Sequence, residues 1–207
     1  TTGQKPVRSV SSESGKRTEL KMQVHKTEFP GLLIIEPDVF YDARGYFFES
    51  YNRLKYSNNE VVYEPVQDNE SSSTRGVIRG LHYQEEPFAQ AKLIRVIEGR
   101  IYDVALDIRR GSPTFGKWFG LIIDSEKKLQ FLIPKGFAHG FSVLSERAIV
   151  LYKCDNTYSV EHERGINALD PALGIDWMLR DETPVISPKD LKQPLFKDIS
   201  TNFIFRA

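Results

Sequence analysis

The chain has 207 residues, with 28 Lys plus Arg against 28 Asp plus Glu, so its formal net charge is zero. That length fits one domain of ordinary size or one large β domain, and it buries roughly 70% of the unfolded surface without metal or disulfide staples. With 40% apolar and 27% charged residues the composition is globular. A neutral balance excludes the general basic face that a nucleic-acid backbone needs. No run of 18 apolar residues reads as a membrane span and no signal-peptide core opens the sequence. Cys154 is the single cysteine and cannot pair within the chain. A reducing, cytoplasmic setting is therefore expected.

Residues 1–21 read as a disordered leader or tag, rich in Ser, Thr, Lys and Arg. Residues 22–207 read as the folded domain, with Met22 a natural start and regular structure expected near Thr27. Five basic residues against two acidic ones make the leader positive, which leaves 23 basic against 26 acidic in the domain.

Short apolar runs between turns follow. They are Leu32–Ile35, Tyr46–Tyr51, Val61–Tyr63, Val77–Tyr83, Leu93–Ile97, Arg100–Ile108, Trp118–Ile123, Leu129–Ile133, Phe141–Leu144 and Ala148–Cys154. Each has strand length, and most are rich in β-branched or aromatic residues. Turn chemistry separates them at Asp42–Gly45, Glu98-Gly99, Arg110–Pro113 and Pro134–Gly136. Many short strands at such spacing predict an all-β sandwich or barrel. Between Arg100 and Arg109, Tyr102, Val104, Leu106 and Ile108 share one face, and Asp103, Asp107 and Arg109 share the other. The charged face is either a ligand-holding interior or a solvated exterior. Two short helices are expected. One covers Asn52–Asn59; the other starts at Lys189–Leu191, with Ser187 as N-cap and Pro188 at the first helical position.

The histidines are His25, His82, His139 and His162. His139 lies in Pro134-Lys135-Gly136-Phe137-Ala138-His139, which resembles the second signature of the cupin superfamily of jelly-roll barrels. Where metal-binding cupins have His-x-His, this chain has His82-Tyr83-Gln84. A bound metal needs three or four converging ligands, so none is expected. Arg79 and His82 are three apart and would face opposite ways on a regular strand. A bulge at Gly80 would turn both inward.

Longer stretches resemble one family within that superfamily. They include Phe40–Glu49, Val66–Asn69, Gly76–Gln84, Gln90–Val96, Asp103–Arg109, Ser112–Gly116, Tyr152–Cys154, Tyr158 and Ser187–Asp190. In this order and spacing the chain resembles the dTDP-4-dehydrorhamnose 3,5-epimerases. The resemblance implies a cupin-type jelly-roll barrel that inverts C3 and C5 of a dTDP-4-keto-6-deoxyhexose without a cofactor. It implies His82 as base with Asp190 orienting its ring, Tyr152 as acid on the opposite face, and Lys92 holding the oxyanion while Asp103 holds Lys92. It also implies substrate contacts at Arg44, Glu49, Gln67, Asn69, Arg79, His139, Tyr158, Glu163 and Lys189. A homodimer with exchanged N-terminal strands is implied as well, with Arg44 and Glu49 the partner-supplied contacts. Residue chemistry agrees with these roles. An imidazole titrates near about 6.5 and a phenol near about 10, an Arg fork suits a diphosphate, and amides suit a base edge.

The sequence departs from the family at Asn167–Pro171, where a tryptophan and two acidic residues are usual and only Asp170 is acidic. That stretch is expected at the rim of the site. A single-carbon epimerase, a metal-dependent cupin oxygenase and a non-enzymatic sugar-binding jelly roll are the competing readings.

Overall fold

The computed structural model describes residues 22–180 and 182–206. The expected leader, residues 1–21, lies outside the described residues.

Two antiparallel sheets face each other. The first has six strands in the order β1 (Gln23–Lys26), β2 (Leu33–Glu36), β10 (Gln130–Ile133), β7 (Lys92–Glu98), β12 (Arg147–Cys154) and β5 (Gln67–Thr74). The second has five, in the order β13 (Glu163–Gly165), β6 (Ile78–Gln84), β11 (Phe137–Val143), β8 (Arg100–Asp107) and β9 (Trp118–Asp124). A separate hairpin joins β3 (Phe40–Asp42) to β4 (Gly45–Phe47). The all-β expectation is met in its jelly-roll form, but among the described residues no ladder closes the two sheets into a continuous barrel. Among the described residues no helix is long and apolar enough to cross a membrane.

The chain buries apolar groups in three layers. Between the sheets lie Leu32, Ile94, Val96, Phe131 and Val150 of the first against Ile101, Phe137, Phe141 and Val143 of the second. Outside the second sheet, Val104, Leu106 and Ile108 pack under Ile166, Leu173, Trp177 and Phe203 from the C-terminal segment. Outside the first, Ile35, Leu93 and Leu132 pack under Tyr56, Val61 and Tyr63. This layering explains β8. Its apolar face is roofed by the C-terminal segment, and its charged face points between the sheets. There Asp103 and Asp107 are fully buried, so the solvated-exterior alternative is excluded.

Several elements differ from expectation. β1 begins before Thr27, because Val24 packs beside Met22 against the first sheet. Tyr46–Tyr51 is strand only as far as Phe47. Val61–Tyr63 is no strand: Val61 and Tyr63 alternate inward, but they cap the sheet, and Tyr63 reaches the Lys153 carbonyl through its hydroxyl. β5, with the sequence Gln-Asp-Asn-Glu-Ser-Ser-Ser-Thr, is a strand without an apolar residue, held along its length by β12. The two helices form as expected. α1 (Arg53–Asn58) is capped by the Asn52 side chain, and α2 (Pro188–Leu191) by Ser187, whose hydroxyl accepts from the Asp190 N–H.

Candidate active site

At one end of the inter-sheet space the apolar filling stops and a cleft of about 610 Å³ opens. The second sheet contributes Arg79 and His82 from β6 and His139 from β11. The first sheet contributes Asn69 and Ser71 from β5, Lys92 from β7, and Tyr152 and Cys154 from β12. Tyr158, Glu163, Lys189 and Asp190 form the rim.

The expected bulge sets the histidines. β11 pairs with β6 as His139↔His82 and Phe141↔Arg79, so three residues on β6 span two on β11. Gly80, at the extra position, has φ of +113°, and a Cβ there would lie 2.6 Å from the Gly140 Cα. Glycine is required by both conformation and space. The shift lets Arg79 and His82 both line the cleft.

His82 Nε2 lies 2.7 Å from Asp190 Oδ1. Burial works against the Asp190 charge. Even so, bonds from His82, Ser187 and the Gly80 N–H hold its carboxyl below the usual carboxylate range. His82 keeps 31% of its side chain exposed while Asp190 keeps 7%, so the pair is anchored from behind and open in front.

His139 does not contact solvent in the same way. Its Nε2 lies 2.9 Å from Asp103 Oδ1, and both residues are buried. Asp103 was expected to hold Lys92 by a hydrogen bond, and this is corrected. The carboxylate is committed to His139, its second oxygen has no hydrogen-bond partner among the described residues, and it acts on Lys92 only through space. The register explains why. Asp103 is on β8 of the second sheet, directly beside β11, where the position opposite His139 is Ala105, two residues along, whereas Lys92 is on β7 of the first sheet.

Lys92 and Tyr152 stand on the wall facing His82. Burial pushes the Lys92 ammonium below the ordinary lysine value, opposed by Cys154, Glu163 and Asp103. Burial pushes the Tyr152 phenol up, opposed chiefly by a hydrogen bond with Ser71, whose Oγ lies 3.0 Å from the phenol oxygen. The Tyr152 ring meets the His139 ring edge-on at 6.2 Å. At the rim, Glu163 Oε2 accepts from Tyr158 at 2.8 Å and from Lys189 at 2.5 Å. Arg79 crosses to β5, donating to Ser73 Oγ and the Ser72 carbonyl.

The remaining sequence-predicted residues divide. Gln67 stands just behind the lining, donating to Asn69 Oδ1 and accepting from the Tyr158 N–H. Arg44 and Glu49 are not brought to this cleft. Arg44 sits on the exposed β3–β4 turn, paired with Asp42, and Glu49 pairs with Lys55. The Asn167–Pro171 stretch is not at the rim, which corrects that expectation. Asp170 is buried and accepts from the Phe196 and Ala172 N–H groups, tying down the C-terminal segment. Sequence reasoning missed Ser71 and the place of buried Cys154 in the cleft wall. The signal for Ser71 was the alternation Gln67, Asn69, Ser71, Ser73. Among the described residues, no three His, Cys, Asp or Glu side chains converge as a metal's ligand set.

The arrangement is that of a proton-transfer site with an imidazole on one wall and a phenol and an ammonium on the other. The family model for dTDP-4-dehydrorhamnose 3,5-epimerase matches residues 26–198. The chain belongs to this family. Its members include a dTDP-4-dehydrorhamnose 3,5-epimerase of Shigella flexneri, 51% identical over 86% of this chain and 97% of that one. The 3,5-epimerase of Legionella pneumophila Philadelphia 1, solved with dTDP-4-keto-L-rhamnose, superposes with a TM-score of 0.85. It is 46% identical and the match covers 90% of this chain and all of that one. ChmJ, a 3'-monoepimerase from Streptomyces bikiniensis solved with dTDP-quinovose, is similar at TM-score 0.78 and 33% identity, covering 83% and 86%. Like those dTDP-4-dehydrorhamnose 3,5-epimerases, this family member is an isomerase built on a cupin-like jelly roll.

Proposed function

We propose that the chain inverts C3 and C5 of dTDP-4-dehydro-6-deoxyglucose, giving dTDP-4-dehydro-L-rhamnose. The observation that carries the reading is that an aspartate-anchored imidazole and a phenol line one cleft from opposite sheets, with an ammonium on the phenol's side. A C4 ketone acidifies the hydrogens on C3 and C5. His82 removes such a proton, and Asp190 steadies the imidazolium that forms. Lys92 stabilises the enolate oxygen, an effect on the order of 3 kcal/mol for one such group. Tyr152 then protonates the same carbon from the other face, which inverts it. Identity of 51% to a 3,5-epimerase, against 33% to the monoepimerase, supports action at both carbons.

Arg79 and Lys189 are the cations at the cleft for the diphosphate, and Gln67 and Asn69 offer amides for the thymine edge. His139, Tyr158 and Glu163 shape the sugar end. Arg44 and Glu49 serve a partner's cleft in a homodimer with exchanged N-terminal strands. Two observations support this: neither residue reaches its own cleft, and Phe40, Tyr41, Tyr46 and Phe47 of the hairpin are all exposed. A buried free thiol and a nucleotide-sugar substrate fit the cytoplasm.

Incubation with the 4-keto sugar nucleotide in heavy water, read by NMR, tests the reading. Deuterium at C3 and C5 with both centres inverted is expected. Deuterium at one carbon alone would replace it with a monoepimerase, and no turnover with retained nucleotide-sugar binding would leave a binding jelly roll.

A further inference from the structure

β5 is an entirely polar strand, and of its inward alternate residues Ser71 and Ser73 have no part in the proposed chemistry. Asn69 donates to the Cys154 sulfur at 3.9 Å, Ser71 bonds the Tyr152 hydroxyl, and Ser73 accepts from Arg79. The strand thus lays a file of hydrogen-bonding groups along the wall that carries the phenol. Among the described residues, Ser71 is the hydrogen-bond partner of the Tyr152 hydroxyl, 3.0 Å away, and it also lines the cleft.

We propose that Ser71 is a positioning residue for the acid half-reaction: its hydroxyl directs the phenol proton toward the sugar and carries the replacement proton back. The inference rests on the reading of Tyr152 as the acid. When Ser71 donates to the phenol oxygen, the phenol's own hydrogen is turned into the cleft. Transfer to carbon breaks the phenol O–H bond, forms the C–H bond and leaves a phenolate. Burial opposes that charge, and the Ser71 bond is the leading influence favouring it. Reprotonation then moves the Ser71 hydrogen to the phenolate as Ser71 takes one from water in the cleft. The proton gained by His82 leaves to solvent, so each inversion balances. Hydrogen bonds to charged groups are the strong ones, so the effect falls on the step in which the phenolate forms.

Ser71→Ala and Ser71→Thr, each assayed in heavy water, test this. Ser71→Ala is expected to lower kcat for inversion by about tenfold to a hundredfold with KM little changed. Deuterium wash-in with retained configuration, which needs His82 and Lys92 but not Tyr152, is expected to persist. Ser71→Thr, which keeps the hydroxyl, is expected to recover most of the inversion rate. Unchanged inversion in Ser71→Ala would overturn the proposal. So would equal loss of wash-in and inversion, or a Thr variant no better than Ala. If the wild type itself shows neither wash-in nor inversion, it is the epimerase reading that fails.

Discussion

Two histidine–aspartate pairs stand side by side on neighbouring strands, His82 directly opposite His139 across the β6–β11 ladder. Their bonds are alike, 2.7 Å and 2.9 Å. Their settings are not. Asp190 comes from the short helix α2, which leaves the front of His82 open to the cleft. Asp103 lies inside the second sheet and His139 is 5% exposed, with one carboxylate oxygen orphaned. The same chemical pair therefore does different work. The half-open pair can meet a substrate carbon, and the closed pair is a buried hydrogen-bonded unit whose imidazole packs edge-on against Tyr152. On the proposed mechanism, access rather than pairing singles out His82 as the base.

That contrast can be broken from either side. The largest effect is expected for His82→Ala, a loss of about a hundredfold to ten-thousandfold in turnover, with deuterium wash-in abolished and thermal stability close to wild type. Asp190→Asn keeps a partner of the same shape but removes the charge that fixes the ring's tautomer and steadies the imidazolium, so a loss of up to about ten-thousandfold is expected. Steady-state kinetics check both. If Asp103→Ala abolished wash-in as fully as His82→Ala, the division between the pairs would fail. Its expected main effect is on folding: it leaves buried His139 without its partner at about 1–3 kcal/mol, seen as a lowered Tm.

The smallest effect lies in the pH profile. Burial moves Lys92 down and Tyr152 up, so on raising pH the ammonium is the first of the two to change charge. Lys92 is the protonated, working form below its pKa, and the alkaline limb of kcat/KM should fall below the ordinary lysine value of about 10.4. Lys92→Arg should be slower but should lose that limb, because guanidinium stays charged. A limb unmoved by this substitution would assign it to another group.

Most of the architecture was legible because strand-forming residues alternate or cluster wherever one face is apolar. β5 was not, and the reason is physical. Its inner face, Asn69 and Ser71, meets a polar cleft and its outer face meets solvent, so hydrophobic periodicity vanishes where the site lies. Val61–Tyr63 misled in the opposite direction: its alternation is real, but it serves a cap without strand partners. In the site, the bulge at Gly80 was expected because the resemblance put both Arg79 and His82 in the site, while their spacing would face them oppositely unless the glycine between them bulged. The partner of Asp103 did not follow, because Lys92 and His139 are both plausible cations until the sheets are assembled. Arg44 and Glu49 are proposed as site residues only through resemblance, and the chain keeps them away from its own cleft.

The central claim is that proton removal and proton return come from opposite walls. Tyr152→Phe, incubated with the 4-keto sugar nucleotide in heavy water and followed by NMR, tests it most directly. His82 should still exchange the acidic hydrogens, so deuterium should enter with configuration retained while inversion falls by about a hundredfold or more. Inversion at the wild-type rate, or loss of exchange together with inversion, would contradict a two-walled site.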